Sequence, residues 1–465
     1  MHVHFVGIGG YGMSAIAFVL QGQGVQVTGS DVRPSSRTAR LEEHGVEIVY
    51  GHAVVNQSGA DKVVYSTDVP QDNVELQAAR ARGVSVVHRS EMLAEILAKG
   101  RGICVTGTHG KTTTTSMISA VLIDGGLDPS VVVGGELDWM GGNARIGHGP
   151  YVVAEADESD GSFLRYHPEI AVLTNADPEH LDHYDGKFEN VLQAYRQFLH
   201  GCHGLVLTCH DAPLIGPLAQ GTTAAHLSYG LGRGSDFRAL RLAARKGGGH
   251  RFSVQGPDGT LGRLDLPLPG LHNVRNALAA IAIGYHLGVP FASMARTLSR
   301  FRNAARRFEV VGEGGGITVV SDYAHHPTEI AAVLEAAREL QPKRLVAVFQ
   351  PQRYARTKLL FGEFPDAFRT ADEVVLLDIY APPGEQPIPG VSSQRLAEDV
   401  RRGGKAVTHV AGLAEAFTWL TGHMQPGDLV LVMGAGDIYR LAVDVGKAVS
   451  PVEGDHRAAR VTGAL

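Results

Sequence analysis

Val105-Thr106-Gly107-Thr108-His109-Gly110-Lys111-Thr112-Thr113-Thr114 is the stretch on which the organisation of the chain turns. Ahead of it runs Gly102-Ile103-Cys104-Val105, a short apolar segment that reads as a buried strand. Behind it Met117, Ile118, Val121 and Leu122 recur at helical spacing. Strand, glycine-rich turn, Lys-Thr and helix together predict a phosphate-binding loop. The backbone amides and helix N-terminus would hold phosphate oxygens, Lys111 would reach the terminal phosphates, and the Thr112 hydroxyl would bind Mg2+. The strict pattern places a further glycine where this chain has Val105, so spacing alone also admits a glycine turn without a ligand.

The chain has 465 residues, which suits about three domains. A hydrophobic content of 44% with 58 glycines fits a soluble α/β protein with many tight turns. The net charge of -6 leaves no basic surplus for phosphate backbones, which excludes a non-specific nucleic-acid binder. Cys104, Cys202 and Cys209 form no Cys-x-x-Cys pair, so neither a disulfide framework nor a zinc site is expected, and a reducing cytoplasm is the default. Met1-His2-Val3-His4-Phe5 reads as a strand rather than a signal peptide. The most apolar helical stretch, Ala277 to Val289, is too short and too interrupted to span a bilayer, so no membrane insertion is expected.

Working back to the N-terminus, Val3 to Val6 runs into Gly7-Ile8-Gly9-Gly10-Tyr11-Gly12-Met13-Ser14, and a helix follows over Ala15 to Leu20. A second strand, Val25 to Gly29, ends at Ser30-Asp31. This β-α-β unit can lay a diphosphate on a helix N-terminus. NAD with Asp31 on a ribose, a UDP-sugar, and a turn used only for close packing are all compatible with it. Further strands near Glu47, Lys62 and Ser85 alternate with helices and close a Rossmann-like domain near residue 98.

Working forward, Tyr151-Val152-Val153-Ala154-Glu155 and Ile170-Ala171-Val172-Leu173-Thr174-Asn175 are apolar strands with polar ends. Ligands gather beyond the carboxyl ends of parallel strands, so the Lys111-Thr112 loop, Glu155 and His180 could converge, and an oxygen ligand and an imidazole there could hold Mg2+, although Mg2+ prefers oxygen. The competing reading makes Asp177-Pro178 a helix cap and first turn. Over Thr222 to Leu268, short alternating runs with a Pro257-Asp258-Gly259 turn predict a small antiparallel sheet in the central domain. His272 and Asn273 then either cap the helix that follows or face an adenine edge.

In the last third, strands at Ile317–Ser321, Leu345–Phe349, Val374–Leu377 and Leu429–Met433 alternate with helices at 328–340, 359–369 and 393–401. This is a second Rossmann-like domain. Arg353 and Arg356 could bind a carboxylate bidentately or form a solvated face. A polar, small-residue tail from Ser450 to Leu465 is expected to fray.

Taken in order, these stretches resemble the Mur ligases, the ATP-dependent enzymes that build the peptidoglycan stem peptide. The resemblance covers nearly the whole chain. It rests on the two glycine turns, Glu155-Ala156-Asp157-Glu158-Ser159-Asp160, Leu268-Pro269-Gly270-Leu271-His272-Asn273, Asp322-Tyr323-Ala324-His325-His326-Pro327-Thr328-Glu329, Phe349-Gln350-Pro351-Gln352-Arg353-Tyr354-Ala355-Arg356-Thr357 and Gly434-Ala435-Gly436-Asp437-Ile438. It implies an α/β fold of three domains: a Rossmann-like UDP-binding domain over 1–98, a central ATPase-like domain over 99–304 and a Rossmann-like amino-acid-binding domain over 305–465. Gly7, Gly9, Gly10, Gly12, Met13, Ser14 and Asp31 would then bind a UDP-sugar. Thr106, Gly107, Thr108, His109, Gly110, Lys111 and Thr112 would bind ATP, with His272, Asn273 and Asn276 at the adenine and Arg307 and Asp322 approaching phosphate and ribose. Thr112, Glu155 and His180 would hold Mg2+, while Lys111, His325, Arg353 and Arg356 would serve catalysis.

The alanine-adding branch of the family matches best. It implies a cytoplasmic enzyme that joins L-alanine to the lactyl carboxylate of UDP-N-acetylmuramate through an acyl phosphate, releasing ADP and phosphate, with the C-terminal domain closing over the central one. Alternatives are a recycling ligase that adds a tripeptide to the same acceptor, a nicotinamide-dependent dehydrogenase, and a non-catalytic nucleotide-binding relative. Two features bear on the match. The branch usually reads Gln-Pro-His-Arg-Tyr where this chain has Gln352. The helix Phe188 to Leu199 lacks the lysine that several relatives carbamylate, as in the alanine-adding branch, so metal binding should not depend on bicarbonate.

Overall fold

Three sheets carry the chain in the computed structural model, which describes residues 1–382 and 384–450. The tail beyond Ser450 lies outside the described residues. The first sheet consists of β1 (His2–Val6), β2 (Gln26–Asp31), β3 (Glu47–Tyr50), β4 (Lys62–Tyr65) and β5 (Ser85–His88). Its order β3-β2-β1-β4-β5 is parallel throughout, as the β-α-β pattern requires.

The second sheet has ten strands. Its centre is β6 (Arg101–Thr106), with β7 (Ser130–Leu137), β8 (Gly142–Arg145) and β9 (Tyr151–Glu155) on one side. On the other side follow β10 (Ile170–Leu173), β11 (Leu205–Cys209), β12 (Ala225–Gly230), β13 (Phe237–Ala244), β14 (His250–Gly256) and β15 (Gly259–Leu266). β6 pairs in parallel with both β9 and β10, so three strand ends do lie side by side. The antiparallel ribbon expected after Thr222 is present as β13, β14 and β15, but it is continuous with the parallel strands through β12. Strands β7 and β8 escaped the sequence reading, because Gly134, Gly135, Gly141 and Gly142 interrupt their alternation.

These two sheets pack as one unit. The helix Tyr11–Gly22 lies against β7 and β8, and buried side chains such as Phe18, Ile103 and Val153 belong to one continuous core. The Asn143 amide donates to the Tyr11 carbonyl at 2.6 Å and to the Ser14 hydroxyl at 3.0 Å. Gly22 admits no Cβ, because Ile146 fills that space.

The third sheet forms a separate unit from Arg306 onward. It contains β16 (Glu309–Gly314), β17 (Ile317–Asp322), β18 (Arg344–Phe349), β19 (Glu373–Leu377), β20 (Ala406–Val410) and β21 (Asp428–Met433), in the order β16-β17-β21-β18-β19-β20. Only β16 is antiparallel to its neighbour. The single helix expected over 359–369 is instead two short ones, Tyr354–Leu359 and Phe364–Ala367, since Gly362 and Pro365 break the run. No helix among the described residues is long and apolar enough to cross a membrane. All three cysteines are buried and free.

Beneath the first sheet sits a buried acid. Glu75 is 0% exposed and accepts hydrogen bonds from His4 at 2.8 Å, His52 at 2.9 Å, Ser30 at 3.0 Å and Asn56 at 3.1 Å. Burial works to raise its pKa, but the bonds from the two histidines prevail and hold it below the usual carboxylate value. A depressed pKa contributes stability above the unfolded carboxyl's pKa, lost as pH falls through the folded value. Glu75→Ala is therefore expected to cost about 2–4 kcal/mol at neutral pH, with a smaller deficit in acid, as measured by urea denaturation.

Candidate active site

The phosphate loop leaves the carboxyl end of β6 and enters the helix Lys111–Asp124. Gly110 caps this helix in the left-handed region, with φ of 80°, and a Cβ there would press on Asn276. Gly107, with φ of 126°, lies so close to Thr174 and Asn175 that no side chain would fit. The loop is braced by the end of β10. Asn175 accepts from the His109 N–H at 2.8 Å and donates to the His109 carbonyl at 2.9 Å, and Thr174 donates to that carbonyl at 2.7 Å. The His109 ring meets the Asp177 carboxylate at 2.9 Å. Asp177 therefore does not cap a helix, and none starts at Pro178; the next α-helix is Phe188–His200.

Lys111 lies beside its own loop. Its ammonium donates to the carbonyls of Gly107 at 2.6 Å and Thr108 at 3.2 Å, and to both carboxylate oxygens of Glu158, at 2.8 and 3.1 Å. Burial opposes the charge on Lys111, yet the carboxylates of Glu158, Asp157 and Glu155 outweigh it and hold the pKa above its ordinary value. Glu158 is itself 2% exposed, and Tyr184 pins its backbone by donating to its carbonyl at 2.5 Å. Glu158 was quoted in the sequence motif without a role. The signal that could have found it is physical: a buried lysine needs a buried counter-charge.

Glu155 ends β9 next to Lys111 and Thr112. Burial raises its pKa, while the Gly134 N–H, at 2.9 Å, the Lys111 charge and the Thr112 hydroxyl favour the ionised form. Gly134 and Gly135 on β7 come so close to Glu155 and Thr112 that side chains there would crowd both. A carboxylate and a hydroxyl beside a phosphate loop form a hard oxygen donor set, which fits Mg2+. His180 follows β10 in the left-handed region, with φ of 56°, and its ring lies 3.9 Å from Glu179.

Asn273 and Asn276 lie in the first turns of the helix Leu271–His286, within the helix rather than capping it. The Thr114 hydroxyl donates to Asn276 at 3.1 Å, so this helix rests on the start of the phosphate-loop helix. His272 occupies the same turn and is partly exposed.

The N-terminal turn also closes on itself. Gly7 has φ of 77°, and the Gly9 N–H donates to the Asp31 carboxylate at 2.8 Å. The other Asp31 oxygen accepts from the Val32 N–H at 2.8 Å, so Asp31 is engaged with backbone on both sides. Gly10 and Gly12 flank the start of the helix, where Met13 and Ser14 are buried. Arg37, unmarked in the sequence, donates to the Gly9 carbonyl at 2.7 Å and stacks over Tyr11, 3.9 Å from the ring centre.

In the C-terminal unit, Asp322 is buried and receives the N–H groups of Phe308 and Ala324 at 2.7 Å each. Burial pushes its pKa up to about 6, against the pull of Arg307. The His325 ring meets the Tyr323 carbonyl at 3.0 Å. Arg353 precedes its helix with φ of 65°. Arg356 donates to the Gln352 side chain at 2.9 Å. Gln352 therefore orients the Arg356 guanidinium.

These features define a P-loop protein with a second, Rossmann-type glycine turn. Family models match the chain in series: the Mur ligase family catalytic domain at residues 2–101, the Mur ligase middle domain at 105–284 and the Mur ligase glutamate ligase domain at 306–436. The chain belongs to the Mur ligase family. It is 50% identical to the UDP-N-acetylmuramate–L-alanine ligase of Symbiobacterium thermophilum, over 96% of this chain and 94% of that one. It is 47% identical to the enzyme of the same name from Desulfosudis oleivorans, over 96% and 97%. Among solved structures it resembles the UDP-N-acetylmuramate–alanine ligase of Thermotoga maritima, with a TM-score of 0.80 and 31% identity over 96% of this chain and 99% of that one.

Removing the loop brace tests the geometry. Asn175→Ala is expected to weaken ATP binding about tenfold, or about 1.4 kcal/mol, by calorimetric titration, without loss of thermal stability beyond about 2 kcal/mol.

Proposed function

We propose that this chain is the ATP-dependent ligase that joins L-alanine to the lactyl carboxylate of UDP-N-acetylmuramate, in the cytoplasm, for peptidoglycan precursor synthesis. The full-length likeness to alanine ligases, 50% identical over 96% of the chain, carries this reading. The phosphate loop supplies its chemistry.

ATP binds with its phosphates on the amides of residues 106–112 and the Lys111 ammonium. To meet them, Lys111 turns from the Gly107 and Thr108 carbonyls while keeping its counter-charge in Glu158. The lactyl carboxylate attacks the γ-phosphorus, the bond to the β,γ-bridging oxygen breaks, and ADP leaves behind an acyl phosphate. Two anions must approach for this, and Lys111 lowers their repulsion. Thr112 and Glu155, with His180 at the neighbouring strand end, would hold Mg2+, which supplies further charge neutralisation at the phosphates. The amine of L-alanine then attacks the acyl carbon, and phosphate departs from the tetrahedral intermediate. The amine must first lose a proton, and His325 would accept it. Arg353 and Arg356 bind carboxylates, with Arg356 aimed by Gln352. Arg307 and Asp322 contact the nucleotide's phosphate and ribose. His272, Asn273 and Asn276 bind adenine. The turn from Gly7 to Ser14 holds the UDP moiety, with Asp31 setting the shape of that turn.

The test is phosphate release from ATP and Mg2+ with UDP-N-acetylmuramate, in the presence of L-alanine, of L-alanyl-γ-D-glutamyl-meso-diaminopimelate, or of neither. Release that requires L-alanine is expected; release that requires the tripeptide would overturn the assignment. Lys111→Ala is expected to lower turnover by at least about a thousandfold, and normal turnover would refute its role. Arg356→Ala is expected to raise the KM for L-alanine or the acceptor about tenfold or more, leaving ATP affinity within about twofold of wild type.

A further inference from the structure

The central domain has a cavity of about 740 Å³ along the phosphate-loop helix. Asp124 from the last turn of that helix, Asp138 and Trp139 from the short turn after β7, and Arg296, Arg300 and Arg302 line it. No residue assigned to ATP, Mg2+ or UDP is among its lining residues.

The chemistry of this lining is selective. None of the three guanidinium groups donates a side-chain hydrogen bond or joins an ion pair among the described residues. Asp124, by contrast, is engaged, since the Thr297 hydroxyl donates to it at 2.7 Å. Trp139 is 40% exposed, a large indole with an open face. Free guanidinium groups suit a phosphate, and an exposed indole suits a flat ring stacked upon it. Asp138 can accept from an N–H on that ring. The two aspartates temper the charge of three arginines, which favours a single phosphate over a di- or triphosphate. The volume is that of a small-ligand site.

We propose that this cavity binds a nucleoside monophosphate and thereby adjusts the phosphate loop. The coupling is physical. Asn303, on the cavity wall, accepts a hydrogen bond at 3.0 Å from the hydroxyl of Thr113, two residues beyond Lys111. A ligand that draws on Arg302 and Asn303 changes that bond, and with it the first turn of the helix that carries Lys111.

The chain has two tryptophans, so Trp419→Phe leaves Trp139 as the sole indole reporter. Full-length protein with this change, saturated with ADP and UDP, is titrated with guanosine 5′-monophosphate. Saturable quenching of Trp139 fluorescence is expected. Added Arg296→Ala and Arg300→Ala should weaken it at least about tenfold, while Lys111→Ala should leave it unchanged. In the otherwise wild-type enzyme the nucleotide should shift the KM for ATP, and the arginine variant should keep basal ligation but lose that shift. The proposal is overturned by absence of quenching at millimolar nucleotide, by equal affinity in the arginine variant, or by displacement with excess UDP or ADP. Equal affinity for inorganic phosphate would overturn the assignment of a nucleoside.

Discussion

A lysine ammonium removed from water at the end of a parallel strand must have its charge answered nearby, and much of the active site follows from that need. Glu158 answers it directly, at 2.8 Å, and the loop carbonyls of Gly107 and Thr108 take the remaining hydrogens. A buried pair of this kind contributes little net stability, since both partners lose solvation. Its value here is positional. Glu158 holds the ammonium beside the glycine loop, where the Gly107 and Thr108 carbonyls also reach it. Glu155 at the end of β9 adds to the negative charge facing Lys111, and side chains at Gly134 and Gly135 on β7 would crowd Glu155 and Thr112.

The two glycine turns satisfy their backbones in different ways. In the phosphate loop a neutral side chain, Asn175, bonds both the amide and the carbonyl of His109. In the N-terminal turn an acid, Asp31, accepts from Gly9, and the positive character of the helix start is partly cancelled. Arg37 bonds the Gly9 carbonyl on the other face of that turn and pairs with Glu136 at 3.2 Å.

The C-terminal unit follows the same economy on a smaller scale. Arg356 is aimed by a neutral amide, Gln352, where the family's alanine-adding branch usually has histidine. An amide holds the guanidinium at every pH, whereas a protonated imidazole would repel it. Asp322, by contrast, is buried with two backbone N–H groups and keeps a pKa near 6 because desolvation outweighs Arg307.

The sequence by itself determined the two β-α-β turns, the parallel strands and the serial order of motifs, because each depends on local periodicity and on where glycine stands. It also carried most of the candidate site, since Lys111, Thr112 and Glu155 occupy strand ends that the alternation of elements makes adjacent. Only the tertiary structure decided the partners. Glu158 as counter-charge, Asn175 as brace, Asp177 on His109 rather than on a helix, and Asp31 bound to its own turn are choices among several nearby acids and amides. The antiparallel strands could be read from their alternation, but their union with the main sheet through β12 could not. The bond between Thr113 and Asn303 crosses 190 residues of chain. No local pattern encodes such a contact, because it exists only once separate elements have packed and left particular polar groups within reach of one another.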